Sequence, residues 1–202
     1  MDIYLKKAIE MYPNAGCELV YHTPFEFLSS VMLSAQTTDK KVNNVCETLY
    51  KRYPDYNCVK ESDYDDIYTI LKPLGLAKGK TKNFIELSKA LKKMGYIPST
   101  VEELIKLPGI GIKTAYVYMA EIHKEPHIAV DTHVFRVAKR LGLTNEDNPI
   151  KVSIDLEKRY KKEEYIKAHH SFLFLGRYKC KGNNPDCATC LLSDVCKYKK
   201  EA

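Results

Sequence analysis

The 202-residue chain is 45% hydrophobic and 29% charged, the composition of a globular protein and not of a disordered one. Its formal net charge of +6 suits a polyanionic partner without demanding one. No apolar run approaches the ~20 residues that cross a bilayer, and the N-terminal MDIYLKKAIEMYP has no apolar stretch followed by a small-residue cleavage site, so the expected setting is the cytoplasm, with no membrane partner.

Helical periodicity runs through most of the chain. After Thr37-Thr38-Asp39 the apolar residues Val42, Val45, Cys46, Leu49 and Tyr50 recur at helix spacing, with Thr38 or Asp39 as the cap. Pro73-Leu74-Gly75 ends a further short run. Phe84, Ile85, Leu87, Leu91 and Met94 form the next stripe, stopped by Gly95. Ser99 with Glu102 reads as a capping box before Leu104 and Ile105. LPGIG then interrupts, and IKTAYVYMAEIH resumes the helix. EPHIAV is a loop. A helix follows from about Thr132 to Leu141 with Gly142 behind it, then one opened by Asn148-Pro149, then one from about Glu163 to Leu175. No run of alternating strands and no internal repeat is present, so the expected class is all-α.

Three features carry chemistry. The first is LPGIGIKTA, residues 107–115, two helices joined by a glycine hairpin. Gly109 and Gly111 are expected to allow backbone angles closed to other residues and to let another backbone approach. The first amides of the second helix lack intrahelical acceptors, so the hairpin is either a phosphate site or a plain helix–helix turn. Lys113 stands in the first turn of that helix, where the dipole opposes a cation and so favours the neutral, nucleophilic amine. The alternative is a lysine that only contacts phosphate. The second feature is VDTHVFRVAKRLGL. Asp131 there is a helix cap, and a capping carboxylate is also held ionised, ready to face a cationic centre. His133 beside it reads as structural. The third is Cys180, Cys187, Cys190 and Cys196 in the pattern C-x6-C-x2-C-x5-C, which suits a zinc ion or an iron–sulfur cluster. Arg177, Lys179, Lys181 and Lys197 accompany these cysteines. Cys17, Cys46 and Cys58 are scattered and read as small core residues.

LPGIGIKTA followed by AVDTHVFRV closely resembles the helix-hairpin-helix DNA glycosylases, in their endonuclease III branch. TPFEFLSSVMLSAQTTD, GLAKGKTKNF and HHSFLFLGRYKC agree with that resemblance, which runs from about residue 20 to the end. It implies an all-α protein of two helical domains with a DNA-binding cleft between them. One domain would be a six-helix barrel over 22–129 with the hairpin; the other, 1–21 with 130–202, would carry a [4Fe–4S] cluster on the four cysteines. It implies a base-excision-repair glycosylase with AP lyase activity on oxidised or ring-saturated pyrimidines. Lys113 would be the Schiff-base nucleophile and Asp131 the catalytic carboxylate. Gln36 would fill the gap left by an extruded nucleotide and Leu76 would wedge into the stack. Leu107, Gly109, Gly111, Ile112, Arg177 and Lys181 would contact DNA, and Asp39 would lie near the pocket. The expected partner is duplex DNA with damaged bases or abasic sites, bound by a monomer. Ile112 departs from the pattern, because relatives often carry a basic residue there. Action on pyrimidine dimers or mismatched bases, and a non-catalytic DNA-binding role, are the rival readings.

Overall fold

The structure, a computed structural model, describes residues 1–201. Among them every regular element is helical: α1 (Ile3–Met11), α2 (Pro24–Leu33), α3 (Asp39–Arg52), α4 (Tyr64–Leu71), α5 (Ala77–Met94), α6 (Val101–Leu104), α7 (Ile112–Ile122), α8 (Thr132–Leu141), α9 (Pro149–Arg159), α10 (Tyr165–Phe174) and α11 (Lys197–Glu201). Short 3-10 turns link several of these, and a π-helical turn, Leu175–Lys179, extends α10. No helix is long and apolar enough to cross a membrane among the described residues.

Short polar side chains start the helices by accepting from their first amides. Thr23 accepts from Glu26 and is followed by Pro24 at the first helical position. Thr38 does the same for α3 and Asn148 for α9. The helix start expected at Ser99 with Glu102 lies one residue later and is a plain cap: Thr100 accepts from the Glu103 amide at 3.3 Å, and its hydroxyl donates to the Glu103 carboxylate at 3.1 Å. Ser99-Thr100-Val101-Glu102-Glu103 offers both registers, and the helix that results is a single turn.

The chain forms two compact units, residues 18–124 and residues 1–17 with 125–202. In the first, α2 is buried from Phe25 to Leu33, with Val42, Leu49, Phe84, Leu91 and Tyr118 around it. Buried on every side, α2 lies within a core, and its Glu26 carboxylate accepts from the His22 amide at 2.6 Å. Its two serines satisfy their hydroxyls internally, since Ser29 and Ser30 lie 2.8 and 2.7 Å from the Tyr50 hydroxyl. Burial raises the Tyr50 phenol well above its ordinary range. Of the three scattered cysteines, Cys46 is buried in this core, whereas Cys17 and Cys58 are exposed; neither exposed thiol lies on a helix with an apolar stripe.

The second unit packs α1 against α10, with Leu5, Ala8, Val134, Val137, Leu156 and Phe172 in its core. Asp2 caps α1 and also accepts from Arg159 at 2.5 Å, which fastens the N-terminal helix to α9. Ile128 and Val130 belong to this core, so the chain divides at 124/125, a few residues before the boundary expected at 129/130.

Only one hairpin glycine needs glycine's freedom. Gly109 has φ +76°, and a Cβ there would lie 2.7 Å from Met32 Sδ and 3.0 Å from Asn83 Cβ. Gly111 has φ −92°, which any residue adopts, and a Cβ there would meet nothing within 4 Å. Gly109→Ala should therefore cost about 2–4 kcal/mol, combining a left-handed backbone with overpacking. Gly111→Ala should cost no more than about 1 kcal/mol, the loss expected when alanine replaces a better N-cap residue without strain. Urea denaturation of both variants tests the contrast; equal destabilisation would contradict it.

Candidate active site and nucleic-acid interface

The hairpin is anchored from below. Leu107 is only 6% exposed and sits in the core, and its carbonyl accepts from the Ile110 amide at 3.1 Å. The Leu107 side chain points into the protein and holds the turn down, so the DNA contact expected at this position would fall to its backbone. Gly109 and Gly111 are exposed and Ile112 is partly exposed. Gly111 is the N-cap of α7, and no side chain caps that helix. The first-turn amides have no intrahelical acceptor, as at any helix start, and no side chain of the capping residue takes one up. Lys113, the second residue of α7, is exposed at that end. Ile112 adds no charge there.

Two further loops of the same unit show a shared feature. Gln36 has φ +57° and Leu76 has φ +50°, two of the four non-glycine residues with positive φ among those described. Both are exposed, and Leu76 keeps 62% of its surface accessible although it is a large apolar residue. A left-handed backbone at a residue with a side chain costs of order 1–3 kcal/mol and gathers at functional positions. Asp39 lies at the start of α3, just after Gln36.

In the other unit Asp131 is the N-cap of α8. Its Oδ1 accepts from the His133 amide at 2.9 Å and the Val134 amide at 2.8 Å. The preceding residues are buried and held on each side. Ser153 donates to the Ile128 carbonyl at 2.7 Å, the Ile128 amide donates to Glu157 at 3.1 Å, and His169 Nδ1 lies 2.8 Å from the Ala129 carbonyl. The strand-like approach to Asp131 is therefore fixed by three side chains that sequence spacing did not single out. His133 is a packing residue: a Cβ on Gly176 would lie 2.8 Å from His133 Cβ, so glycine lets the π turn lie on α8.

Cys180, Cys187, Cys190 and Cys196 line one pocket with Leu141 and Leu175, and none forms a disulfide. Among the described residues no three His, Cys, Asp or Glu side chains are drawn together as a ready metal site. The donor chemistry nevertheless fits an electron-poor group. Burial pushes the Cys190 thiol up, the Leu192 amide opposes that, and the other three sulfurs add to the rise. Four sulfurs that repel one another as thiolates call for a cation in their midst. Arg140 donates to Cys180 Sγ at 3.4 Å, to the Lys181 carbonyl at 2.6 Å and to the Gly182 carbonyl at 3.0 Å. Arg136 donates to the carbonyls of Gly176 at 2.8 Å and Cys180 at 2.9 Å. Helix α8 thus carries both Asp131 and the two arginines that shape the cysteine loop. These arginines went unnoticed in the sequence, where their four-residue spacing marks only a shared helix face. Lys179 donates to Asp186 at 2.8 Å and the Thr189 hydroxyl donates to it at 2.6 Å, and these two bonds hold the Asp186 carboxyl down at about 2. Lys179 is therefore a loop brace. Lys181 is exposed and Arg177 half-buried.

The family described as HhH-GPD superfamily base excision DNA repair protein matches residues 29–162. An endonuclease III of Bacillus subtilis (strain 168) is 42% identical over 203 residues, covering 98% of this chain and 91% of that protein. A solved non-covalent endonuclease III–DNA complex is similar at a TM-score of 0.92 and 39% identity, covering 98% of this chain and 94% of that one. A trapped endonuclease III–DNA covalent intermediate, an estranged-adenine complex, is similar at a TM-score of 0.91 and 40% identity over the same shares.

The cap geometry carries its own expectation. Asp131→Ala should lower stability by about 1 kcal/mol, and Asp131→Asn, which keeps an acceptor oxygen, by no more than a few tenths. Thermal unfolding followed by circular dichroism distinguishes them; equal losses would mean that the cap bonds contribute nothing.

Proposed function

We propose a chemistry that proceeds from one premise: this chain belongs to the HhH-GPD superfamily of base excision DNA repair proteins, and it is a DNA glycosylase with abasic-site lyase activity. Its substrates are oxidised or ring-saturated pyrimidines, and abasic sites, in duplex DNA. It acts as a monomer in the cytoplasm. The hairpin of residues 107–115 grips a phosphate through the amides behind Gly111, which fix position without reading sequence. Arg177 and Lys181, in the part made of 1–21 and 130–202, add charge toward the backbone.

The damaged nucleotide leaves the stack at a cost of a few kcal/mol, least where pairing is already weak. Leu76 wedges into the stack and Gln36 occupies the gap. The neutral amine of Lys113 then forms a bond to the sugar C1′ as the glycosidic C–N bond breaks, and the base leaves with its electron pair and takes up a proton. Ionised Asp131 stabilises the positive charge that develops on the sugar. The amine loses its proton as the sugar ring opens to a Schiff base. Removal of a C2′ proton then expels the 3′ phosphate, which nicks the strand. Cys180, Cys187, Cys190 and Cys196 would hold a [4Fe–4S] cluster, which ties the loop together and relieves the repulsion among its thiolates.

The observation that carries this reading is the exposed Lys113 one residue inside an uncapped helix start. Borohydride reduction in the presence of abasic duplex should trap a covalent protein–DNA complex. Lys113→Gln should abolish trapping and leave binding largely intact; parallel loss of both would make Lys113 a phosphate contact only. Asp131→Asn should slow base release at least tenfold with binding little changed. A panel of lesions in duplex oligonucleotides, read for base release and nicking, fixes the substrate; preference for a pyrimidine dimer or a normal mismatched base would overturn the assignment.

The purified protein should be yellow-brown and contain about four irons per chain, the content of one cubane cluster. A colourless protein with one zinc per chain would refute the cluster.

A further inference from the structure

Lys80 lies on α5, and the reaction proposed above gives it no role. Only 6% of its surface is exposed. No carboxylate pairs with it among the described residues; its Nζ donates instead to the Leu74 carbonyl at 3.1 Å. A buried cation without an anion is costly, and a methionine would fill similar space without that penalty. Burial pulls the Lys80 ammonium below its ordinary range, nearby Lys41 pulls it further, and the Cys46 sulfur opposes this. Something other than filling must retain a lysine here.

The partner carbonyl supplies the reason. Leu74 is a buried anchor, Gly75 has φ +70° and Leu76 has φ +50°. Leu76 is the N-cap of α5, where no side chain caps, and its carbonyl accepts the Lys80 amide at 3.1 Å. Lys80 therefore grips the turn twice, by its amide after the strained residue and by its ammonium before it. Between those two fixed points the chain has no slack, and the Leu76 side chain is left standing in solvent.

We propose that Lys80 is a positioning residue for excision: its buried ammonium clasps the Leu74 carbonyl and so locks Leu76 in the left-handed conformation that presents its side chain to the duplex. This rests on the reading of Leu76 as the wedge. Without the clasp, residue 76 relaxes toward an ordinary backbone conformation and the wedge loses its aim. The chemistry at Lys113 does not depend on it.

Single-turnover base excision from a duplex lesion and strand nicking at an abasic site in single-stranded DNA provide the test. Leu76→Ala should slow duplex excision at least tenfold and single-strand nicking less than twofold. Lys80→Met should show the same split, with a melting temperature near that of the parent. The double variant should be no more than twofold slower than Leu76→Ala alone, because both substitutions remove one function. Lys80→Arg, which still reaches the carbonyl, should recover most of the lost rate. Where Lys80→Met does not fold, Lys80→Gln, a donor too short for the carbonyl, carries the same expectation. Additive losses, or equal losses on both substrates, would make Lys80 merely structural and overturn the proposal. Normal duplex excision by Lys80→Met beside a slow Leu76→Ala would overturn it too, and leave the wedge reading standing. Normal excision by Leu76→Ala would overturn both.

Discussion

The amides that open a helix have no acceptor within it, and two helix starts in this protein meet that constraint in opposite ways. At α8 the Asp131 carboxylate accepts from two of them, so the amides hold a charged side chain still. At α7 the capping position is Gly111, which has no side chain to accept from them, and the proposed function gives those amides to a phosphate. One start stores a negative charge and the other awaits one. The proposed chemistry needs both: an anion of DNA to be gripped, and a carboxylate that stays ionised as a sugar becomes cationic. Gly111 makes this plain, because nothing inside the fold requires glycine there, while Gly109 is demanded by its own φ and by Met32.

Strain is distributed in the same functional sense. Gln36 and Leu76 occupy a backbone region that side chains disfavour, and both stand in solvent, where no packing of their own repays the cost. Buried Leu74 lies two residues before Leu76 and the cap Thr38 two residues after Gln36, so ordered chain adjoins both strained positions. A wedge that enters a base stack must be rigid before it arrives, since ordering it on binding would weaken association.

Much of this was legible in the sequence, and the failures have physical causes. The helices α3, α5 and α8 are evident from their spacing and caps, α5 and α8 with a glycine to stop them, and the Asp131 cap follows from residue type and position. Helix α2 gives no stripe because it is buried on every side, its Glu26, Ser29 and Ser30 included, so periodicity does not mark it. Leu107 sits inside the motif that resemblance assigns to DNA, yet motif membership does not say which way a side chain points. The two hairpin glycines look equivalent in the sequence; only backbone angles separate them. Arg136, Arg140 and Lys80 were invisible for a different reason. Their partners are carbonyls, and a carbonyl belongs to every residue, so no spacing rule announces it.

That last class changes how the charge of the protein should be understood. The chain has 32 Lys and Arg against 26 Asp and Glu, and a count would offer the excess to phosphate. Yet Lys80 holds Leu74, Arg136 holds Gly176 and Cys180, Arg140 holds Lys181 and Gly182, Lys139 reaches Asn145 and Lys167 reaches Pro13, each through a backbone carbonyl. These cations shape loops, and several of the loops are those that bear candidate DNA contacts. They still add to the field that draws DNA in over long range. They cannot each displace a counterion by direct contact with phosphate, so the salt dependence of binding should reflect the exposed cations that reach phosphate and not the total. Net charge measures attraction; geometry decides how much of it becomes grip.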